Sequence, residues 1–327
     1  MTKTLDPYWY VNNMEVHTDT APHIYANGLQ QVKLTLGIKA LDGRGNEVRL
    51  TQSERKNLQV VMYRNASHVL PFDEFDGLGW SVSRQYTGYE YFPANNLKAS
   101  IGPKAGFEYF EFYVSCESLA AAGQTIGLAF MVTGDNGRRF CSNGLSWYAD
   151  GDPDTLVNHD LPYANITVHR PPRYAQDNFI LSEFFDLPAT QLHAGIFNRR
   201  CTLTLQTAPS QTIALKSMSL MPKGMIMWES NLPDDQLCSF VGYVEPGKTQ
   251  VQWNPALPQS VIPLPTLAAA VRGKGSLVLC GRVDLKQALG GFRGPCAMSL
   301  VDVYGNQHDL SLRFDPMNRE RLELTLA

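Results

Sequence analysis

The chain has 327 residues, a formal net charge of −3 and a pI of about 6.2. Nucleic-acid-binding domains ordinarily carry a basic stripe. The densest basic clusters here are the pairs Arg138-Arg139 and Arg199-Arg200, so no nucleic-acid partner is predicted. Hydrophobic residues make up 44% of the chain and charged residues 18%, which excludes a chain disordered throughout. No run approaches the roughly 18 consecutive apolar residues of a membrane-spanning helix, so no transmembrane segment is predicted.

The N-terminal sequence and the cysteines bear on the cellular compartment. Residues 1–10 contain no apolar core after Lys3, so no ordinary secretory signal is predicted. Six cysteines without Cys-x-x-Cys spacing predict reduced, mostly buried thiols. The protein is expected in the cytoplasm, or outside the cell after export without a classical signal peptide.

Alternation of apolar and polar residues predicts short strands from the start of the chain. Residues 32–40 alternate strictly and end in a Gly-rich turn over residues 42–46. Thr51 and Glu54 have the spacing of a capping box, which predicts one helical turn before a strand at 58–63. Asp135-Asn136-Gly137 predicts a hairpin turn. The further strands predicted in the first half are 80–86, 107–115, 126–133, 140–148 and 166–169.

Arg170-Pro171-Pro172-Arg173 predicts an interdomain linker, because two prolines cannot continue a strand ladder. We therefore expect domains at 1–170 and 171–327. The second half repeats the strand pattern, with short helices expected at 264–271 and 284–289. The predicted fold class is all-β, with two tandem immunoglobulin-like β-sandwich domains and a few short helical turns. The second-half strands are predicted at 201–206, 213–220, 225–228, 249–253, 276–283, 297–303, 310–314 and 322–326.

Residues 40–50 and 300–310 share one gapless pattern, apolar-apolar-Asp-x-x-Gly-Asn-x-x-x-Leu. This pattern predicts a strand, a turn closed by an Asp side chain, and a return strand. It is compatible with duplication of an ancestral domain and equally with two independent hairpins.

Residues 25–48 resemble the opening strands of bacterial immunoglobulin-like repeats of the invasin and intimin type. The resemblance rests on an Asn-Gly pair, the alternating strand and Asp-x-x-Gly-Asn. It implies a sandwich used as a spacer or adhesion module of a bacterial protein, with a role in adhesion or virulence. It implies no catalytic residues.

Asp150, Asp152 and Asp154 lie at alternate positions beside Trp147. Carboxylates in this arrangement can converge on Ca²⁺, so these three residues are the predicted metal ligands, and calcium is the cofactor to consider. The alternative is an ordinary solvated turn, since the EF-hand pattern is not met.

No catalytic motif was found. The seven histidines lack His-x-His and His-Glu-x-x-His spacing, and no Gly-x-Ser-x-Gly sequence is present. His308 and Asp309 are adjacent, but neighbours on a strand point to opposite faces. We therefore expect a protein that is not an enzyme.

Aromatic residues are concentrated at 86–92 and 107–113. Core packing explains one face of each segment, so the other face predicts an exposed aromatic surface. Tyr89, Tyr91 and Trp147 are the candidate residues for binding a partner or a glycan. The predicted function is a non-enzymatic structural or interaction protein with a protein partner. The alternatives are a lectin-like carbohydrate-binding protein and a secreted β pore-forming toxin or effector.

Overall fold

The computed structural model describes residues 10–93, 102–148, 162–187, 196–208, 211–229, 236–256, 264–283 and 292–327. The chain divides into two compact units, Met1–Pro171 and Pro172–Ala327. Within the described ranges, nearly all regular structure is β-strand, which confirms the predicted all-β sandwich class. The longest described helix has five residues, and no helix in these ranges is long and apolar enough to cross a membrane.

The elements of unit 1 follow one another closely along the chain. They are β1 (Tyr10–Thr18), β2 (His23–Tyr25), β3 (Val32–Leu41), β4 (Glu47–Val48), α1 (Gln52–Lys56), β5 (Gln59–Met62), β6 (Asn65–Val69), β7 (Trp80–Ser83), β8 (Glu108–Cys116), a 3-10 turn (Leu119–Ala121), β9 (Thr125–Thr133), β10 (Arg138–Cys141), β11 (Ser146–Tyr148) and β12 (Ala164–His169).

Two sheets pack face to face in unit 1. The first has the order β1-β3-β8-β7, with β4 also paired to β3. The second has the order β11-β10-β9-β12-β2, with the β5–β6 hairpin joined to β9. The core-facing residues of β3 are Val32, Leu34, Leu36, Ile38 and Ala40. Phe112 of the first sheet contacts Phe130 of the second with ring centroids 4.9 Å apart. Each fully buried side chain of this size contributes about 1.5–3 kcal/mol.

The predicted capping box closes the start of α1. The hydroxyl of Thr51 accepts from the backbone N–H of Glu54, and the Glu54 carboxylate accepts from the backbone N–H of Thr51. Glu54 is buried, and its second oxygen accepts from the backbone N–H of Asp135 at 3.1 Å. The cap therefore also fixes the predicted Asp135-Asn136-Gly137 turn, in which Gly137 has φ +80°.

Two predicted strands of unit 1 differ from the structure. The strand predicted at 80–86 ends at Ser83. The backbone of Gln85 and Thr87 is hydrogen-bonded by the side chain of Gln31 instead of by a neighbouring strand. The strand predicted at 140–148 is a hairpin of β10 and β11, since the chain reverses at Gly144 with φ +89°.

The elements of unit 2 begin with a 3-10 turn (Gln176–Asn178). The strands are β13 (Phe179–Leu181), β14 (Phe185–Asp186), β15 (Phe197–Ala208), β16 (Gln211–Ile213), β17 (Leu215–Met221), β18 (Met225–Trp228), β19 (Cys238–Val244), β20 (Gly275–Arg282), β21 (Cys296–Asp302), β22 (Gln307–Asp315) and β23 (Asn318–Leu326).

Unit 2 is also a sandwich of two sheets. One has the order β13-β15-β20-β19-β18, with β14 and β16 also paired to β15, and the other has the order β17-β21-β22-β23. β18, β19 and β20 are buried on both faces. Val241 and Leu279 face the second sheet, whereas Phe240 points outward and meets Trp253 edge-on at 5.4 Å.

The covering of this outer face explains two wrong predictions. The strand predicted at 249–253 forms only an isolated bridge between Gln252 and Tyr243, and the helix predicted at 264–271 does not form. The apolar residues of these two segments pack on the outer face of the sheet, where Val251 and Leu267 are buried. Their apolar pattern therefore reflects this contact and not a strand or a helix. The helix predicted at 284–289 lies outside the described residues.

All six cysteines are buried, as predicted. They are Cys116, Cys141, Cys201, Cys238, Cys280 and Cys296. Burial raises the pKa of Cys201 and of Cys280 to about 12, so both thiols stay protonated at neutral pH.

The repeated Asp-x-x-Gly-Asn pattern forms the same turn in both units. The Oδ1 of Asp42 accepts from the backbone N–H groups of residues 44 and 46, and that of Asp302 accepts from residues 304 and 306. Gly45 and Gly305 have φ +79° and +85°, which favours glycine at both positions. The unit 1 turn is exposed, whereas Asp302 is fully buried with His308 Nε2 at 3.2 Å.

Replacing Asp42 and Asp302 in turn will show how much of each aspartate's contribution to the free energy of unfolding comes from the turn hydrogen bonds and how much from burial. Asp302→Ala leaves buried donors without an acceptor, so we expect a loss of about 3 kcal/mol in the free energy of unfolding. Asp42→Ala should cost clearly less, because water can replace its carboxylate. Chemical unfolding of the full chain measures both variants, and equal losses would contradict the role of burial.

Candidate binding surface on unit 1

Two buried glutamines hold the loop that follows β7, here called the aromatic loop (residues 84–93). Gln30 is 0% exposed; its Oε1 accepts from the backbone N–H of Tyr25, and its Nε2 donates to the carbonyl of Glu90 at 3.1 Å. Gln31 is 2% exposed; its Oε1 accepts from the backbone N–H of Thr87 at 2.8 Å, and its Nε2 donates to the carbonyl of Gln85. The side-chain amides of two buried residues directly before β3 thus hold the backbone of the loop by hydrogen bonds that are shielded from water.

The aromatic loop is also anchored at its first residue. The guanidinium of Arg84 lies over the ring of Phe112, 3.9 Å from its centroid, and donates to the carbonyl of Leu58 at 3.3 Å. Contact with a core ring fixes where the loop leaves the sheet.

Phe92 anchors the other end of the loop. Its ring stacks on His169 of β12 at 4.6 Å and lies 4.8 Å from the ring of Tyr25 in β2. The parallel pairing of β12 and β2 brings His23 Nδ1 within 2.9 Å of His169 Nε2. Burial, together with the nearby His23, lowers the pKa of His169, so the His169 ring is neutral at neutral pH.

Between these anchors the loop presents two tyrosines beside one from β8. Tyr86 stacks on Tyr91 with centroids 5.1 Å apart, and Tyr113 lies 5.7 Å from Tyr86. The Tyr86 hydroxyl donates to the backbone carbonyl of Tyr89, yet 42% of the Tyr86 side chain remains exposed. Tyr86, Tyr91 and Tyr113 are called the tyrosine patch below.

Carboxylates surround the tyrosine patch. Burial, with smaller contributions from the adjacent tyrosines, Glu111 and Asp19, raises the pKa of Tyr91 to about 12. Burial and, to a smaller extent, the nearby Glu90 also raise the pKa of Tyr86. Lys33 Nζ lies 2.6 Å from Glu111 and 3.6 Å from Asp19. Three carboxylates and one ammonium group thus give the patch a negative border.

The predicted site residues fall in different places. Tyr91 belongs to the tyrosine patch, whereas Tyr89 is half-buried and supplies a carbonyl to Tyr86. The backbone of Trp147 lies in β11, at the opposite edge of its sheet from β2, and its side chain is outside the described residues.

Asp150, Asp152 and Asp154 lie outside the described residues, so the calcium site stays a prediction. Over the described ranges, no group of three His, Cys, Asp or Glu side chains is placed to hold a metal ion. His308 pairs with Asp302, while Asp309 accepts from Gln307, as strand alternation predicts for adjacent residues.

Sequence reasoning missed the residues that position the surface, namely Gln30, Gln31 and the His23–His169 pair. The available signal was the polar Gln30-Gln31 pair directly before a strand whose first residue, Val32, is buried. Two long polar side chains beside a buried strand indicate nearby backbone N–H and C=O groups that have no partner within a sheet and need side-chain hydrogen bonds.

Comparison with known proteins identifies no family. No family model matches the chain, and no curated protein matches it. Solved structures with some likeness include the collagen adhesin of S. aureus, with 11% identity over 91% of both chains and a TM-score of 0.19. The collagen-binding domain of the Erysipelothrix rhusiopathiae surface protein RspB gives 11% identity over 98% of this chain and 93% of that one, with a TM-score of 0.16. Likeness at these scores is too weak to bear on function, and the invasin and intimin resemblance stays an expectation.

Gln30→Ala is expected to release the aromatic loop, because it leaves the backbone groups of Tyr25 and Glu90 without their buried partners. We expect the free energy of unfolding to fall by about 1–3 kcal/mol. Cleavage by chymotrypsin at the loop tyrosines should become faster under native conditions. Gln124→Ala, at an exposed glutamine of the same unit, is the control, and unchanged cleavage of the Gln30 variant would refute the anchoring role.

Tyr91 should ionise late in an alkaline titration of the folded protein. A tyrosine in an unfolded chain ionises near pH 10, so its raised folded-state pKa stabilises the fold below about pH 10. That stability is lost as the pH rises through about 12. Tyr91→Phe should remove one late tyrosinate from the near-ultraviolet titration. The same protein in denaturant is the control, and an unchanged titration of the variant would contradict the burial of Tyr91.

Proposed function

We propose that unit 1 is a non-enzymatic binding module that presents the tyrosine patch to a protein partner carrying basic side chains. The observation that supports this most directly is the exposed ring of Tyr86, stacked on the half-buried Tyr91, on a loop fixed by two buried glutamines.

A fixed aromatic surface suits protein recognition. Tyrosine supplies a large contact area with few rotatable bonds, and it is common among the residues that dominate binding energy. Because Gln30 and Gln31 order the loop before any partner arrives, less conformational entropy is lost on association.

The charges around the patch favour a cationic partner. Ring faces attract guanidinium and ammonium groups, and Asp19, Glu90 and Glu111 act in the same direction. Lys33 is engaged by Glu111 and Asp19, which reduces its repulsion of an incoming cation. Complementary charge mainly sets association rate and partner choice.

Arrays of basic, neutral and acidic peptides of equal length test this proposal. We expect the full chain to retain the basic peptides, and Tyr91→Ala to weaken that binding about ten-fold. The matched control is Tyr109→Ala, which removes a tyrosine on the same face of β8 that packs against Gly37. Loss of binding in both variants, or in neither, would contradict a role for the tyrosine patch.

A charge reversal tests the partner's chemistry separately. Glu90→Lys should weaken binding of basic peptides at low salt and reduce its salt dependence. Glu183→Lys, at an exposed position of unit 2, makes the same change of charge away from the patch. Equal retention of acidic peptides by the wild-type chain would show that the partner is not basic, while leaving the patch itself as a binding surface.

A further inference from the structure

A cleft of about 370 Å³ lies on the outer face of the second sheet of unit 1, on a different sheet from Tyr113. Its floor is Gly127 of β9, and Tyr63, Tyr163, Arg64, Thr125 and Asn165 are among the residues that line it. This volume falls within the range of small-molecule sites, roughly 300–1,000 Å³.

The cleft exists because Gly127 has no side chain. Gly127 accepts from the backbone N–H of Tyr63 on one side and pairs with Asn165 of β12 on the other. A Cβ atom at this position would lie 3.1 Å from the Cβ of Tyr63 and 3.4 Å from the ring of Tyr163. Any other residue would therefore crowd the space between the two tyrosines.

The aromatic wall of the cleft is fixed from below. Tyr163 stacks on Tyr63 with centroids 4.2 Å apart and an interplanar angle of 28°. Tyr63 is only 4% exposed, and its carbonyl accepts from the side-chain amide of the fully buried Asn143 at 2.9 Å. Tyr163 is 38% exposed and offers an ordered ring surface to solvent.

The polar groups of the cleft can recognise a hydroxylated, acidic ring. Thr125 and Asn165 supply donors and acceptors, and Arg64 is exposed with no ion pair to any described carboxylate. A guanidinium binds a carboxylate through two parallel hydrogen bonds. An aromatic wall, uncharged hydrogen-bonding groups and the guanidinium of Arg64 thus lie around a single cleft.

We propose that this cleft binds a saccharide that carries a carboxylate. The sugar ring lies against Tyr163, its hydroxyls are hydrogen-bonded by Thr125 and Asn165, and its carboxylate is held by Arg64. This site is separate from the tyrosine patch and does not depend on the function proposed for it.

Titration calorimetry of the full chain with two matched disaccharides tests the proposal. One ends in glucuronic acid and the other ends in glucose, so they differ only at C6, where a carboxylate replaces a hydroxymethyl group. We expect the acidic disaccharide to bind about ten-fold more tightly. Arg64→Gln should abolish this preference and leave the neutral disaccharide unaffected, and Tyr163→Ala should weaken both.

Arg44→Gln, at an exposed arginine in the β3–β4 turn of the same unit, is the matched control and should bind as the wild type does. Because Arg64 is exposed, its replacement should leave the fold intact, which thermal unfolding checks. Equal affinity for the two disaccharides, a preference that persists in Arg64→Gln, or binding of neither would overturn the proposal. Tighter binding of an acidic peptide than of the acidic disaccharide would overturn it as well.

Discussion

The binding surface of unit 1 depends on the side-chain amides of Gln30 and Gln31. Each amide donates and accepts at the same time, so each can satisfy a backbone N–H and a backbone carbonyl of irregular chain where water is excluded. A carboxylate at either position could only accept. Without these bonds the aromatic loop would need water for its backbone groups and could not lie against the end of the core. The arrangement of Tyr86 and Tyr91 follows from this constraint.

The sandwich of unit 1 leaves part of its outer surface exposed, although Val61, Ala129 and Met131 on the outer face of the second sheet are buried in a smaller cluster. The inner faces are filled by aliphatic and aromatic side chains that determine stability. Outward positions then accommodate Tyr113 on the first sheet, and Tyr63 and Gly127 on the second. In unit 2 the outer face of β18, β19 and β20 is covered by the segments that carry Trp253 and Leu267.

The Asp-x-x-Gly-Asn turn shows how one local geometry can serve two environments. Asp42 and Asp302 organise their turns through the same hydrogen bonds. The unit 1 turn is solvated, whereas the unit 2 turn is buried together with His308. Turn chemistry fixes the backbone in both, and packing decides whether the aspartate is exposed or enclosed.

The sequence by itself determined the features that depend on neighbouring residues. Alternation identified β3, capping-box spacing identified α1, and Asp-Asn-Gly located the β9–β10 turn, because each requires only a few adjacent side chains. Alternation also indicated that part of the aromatic set must face outward, which placed Tyr91 among the candidates. The tertiary structure alone decided that residues 84–86 leave the sheet, that 264–271 covers a sheet instead of forming a helix, and that Tyr86 meets Tyr113. It also decided that Tyr63 and Tyr163 enclose a cleft over Gly127. These features depend on contacts between residues far apart in the chain, and local periodicity carries no information about which distant segments meet.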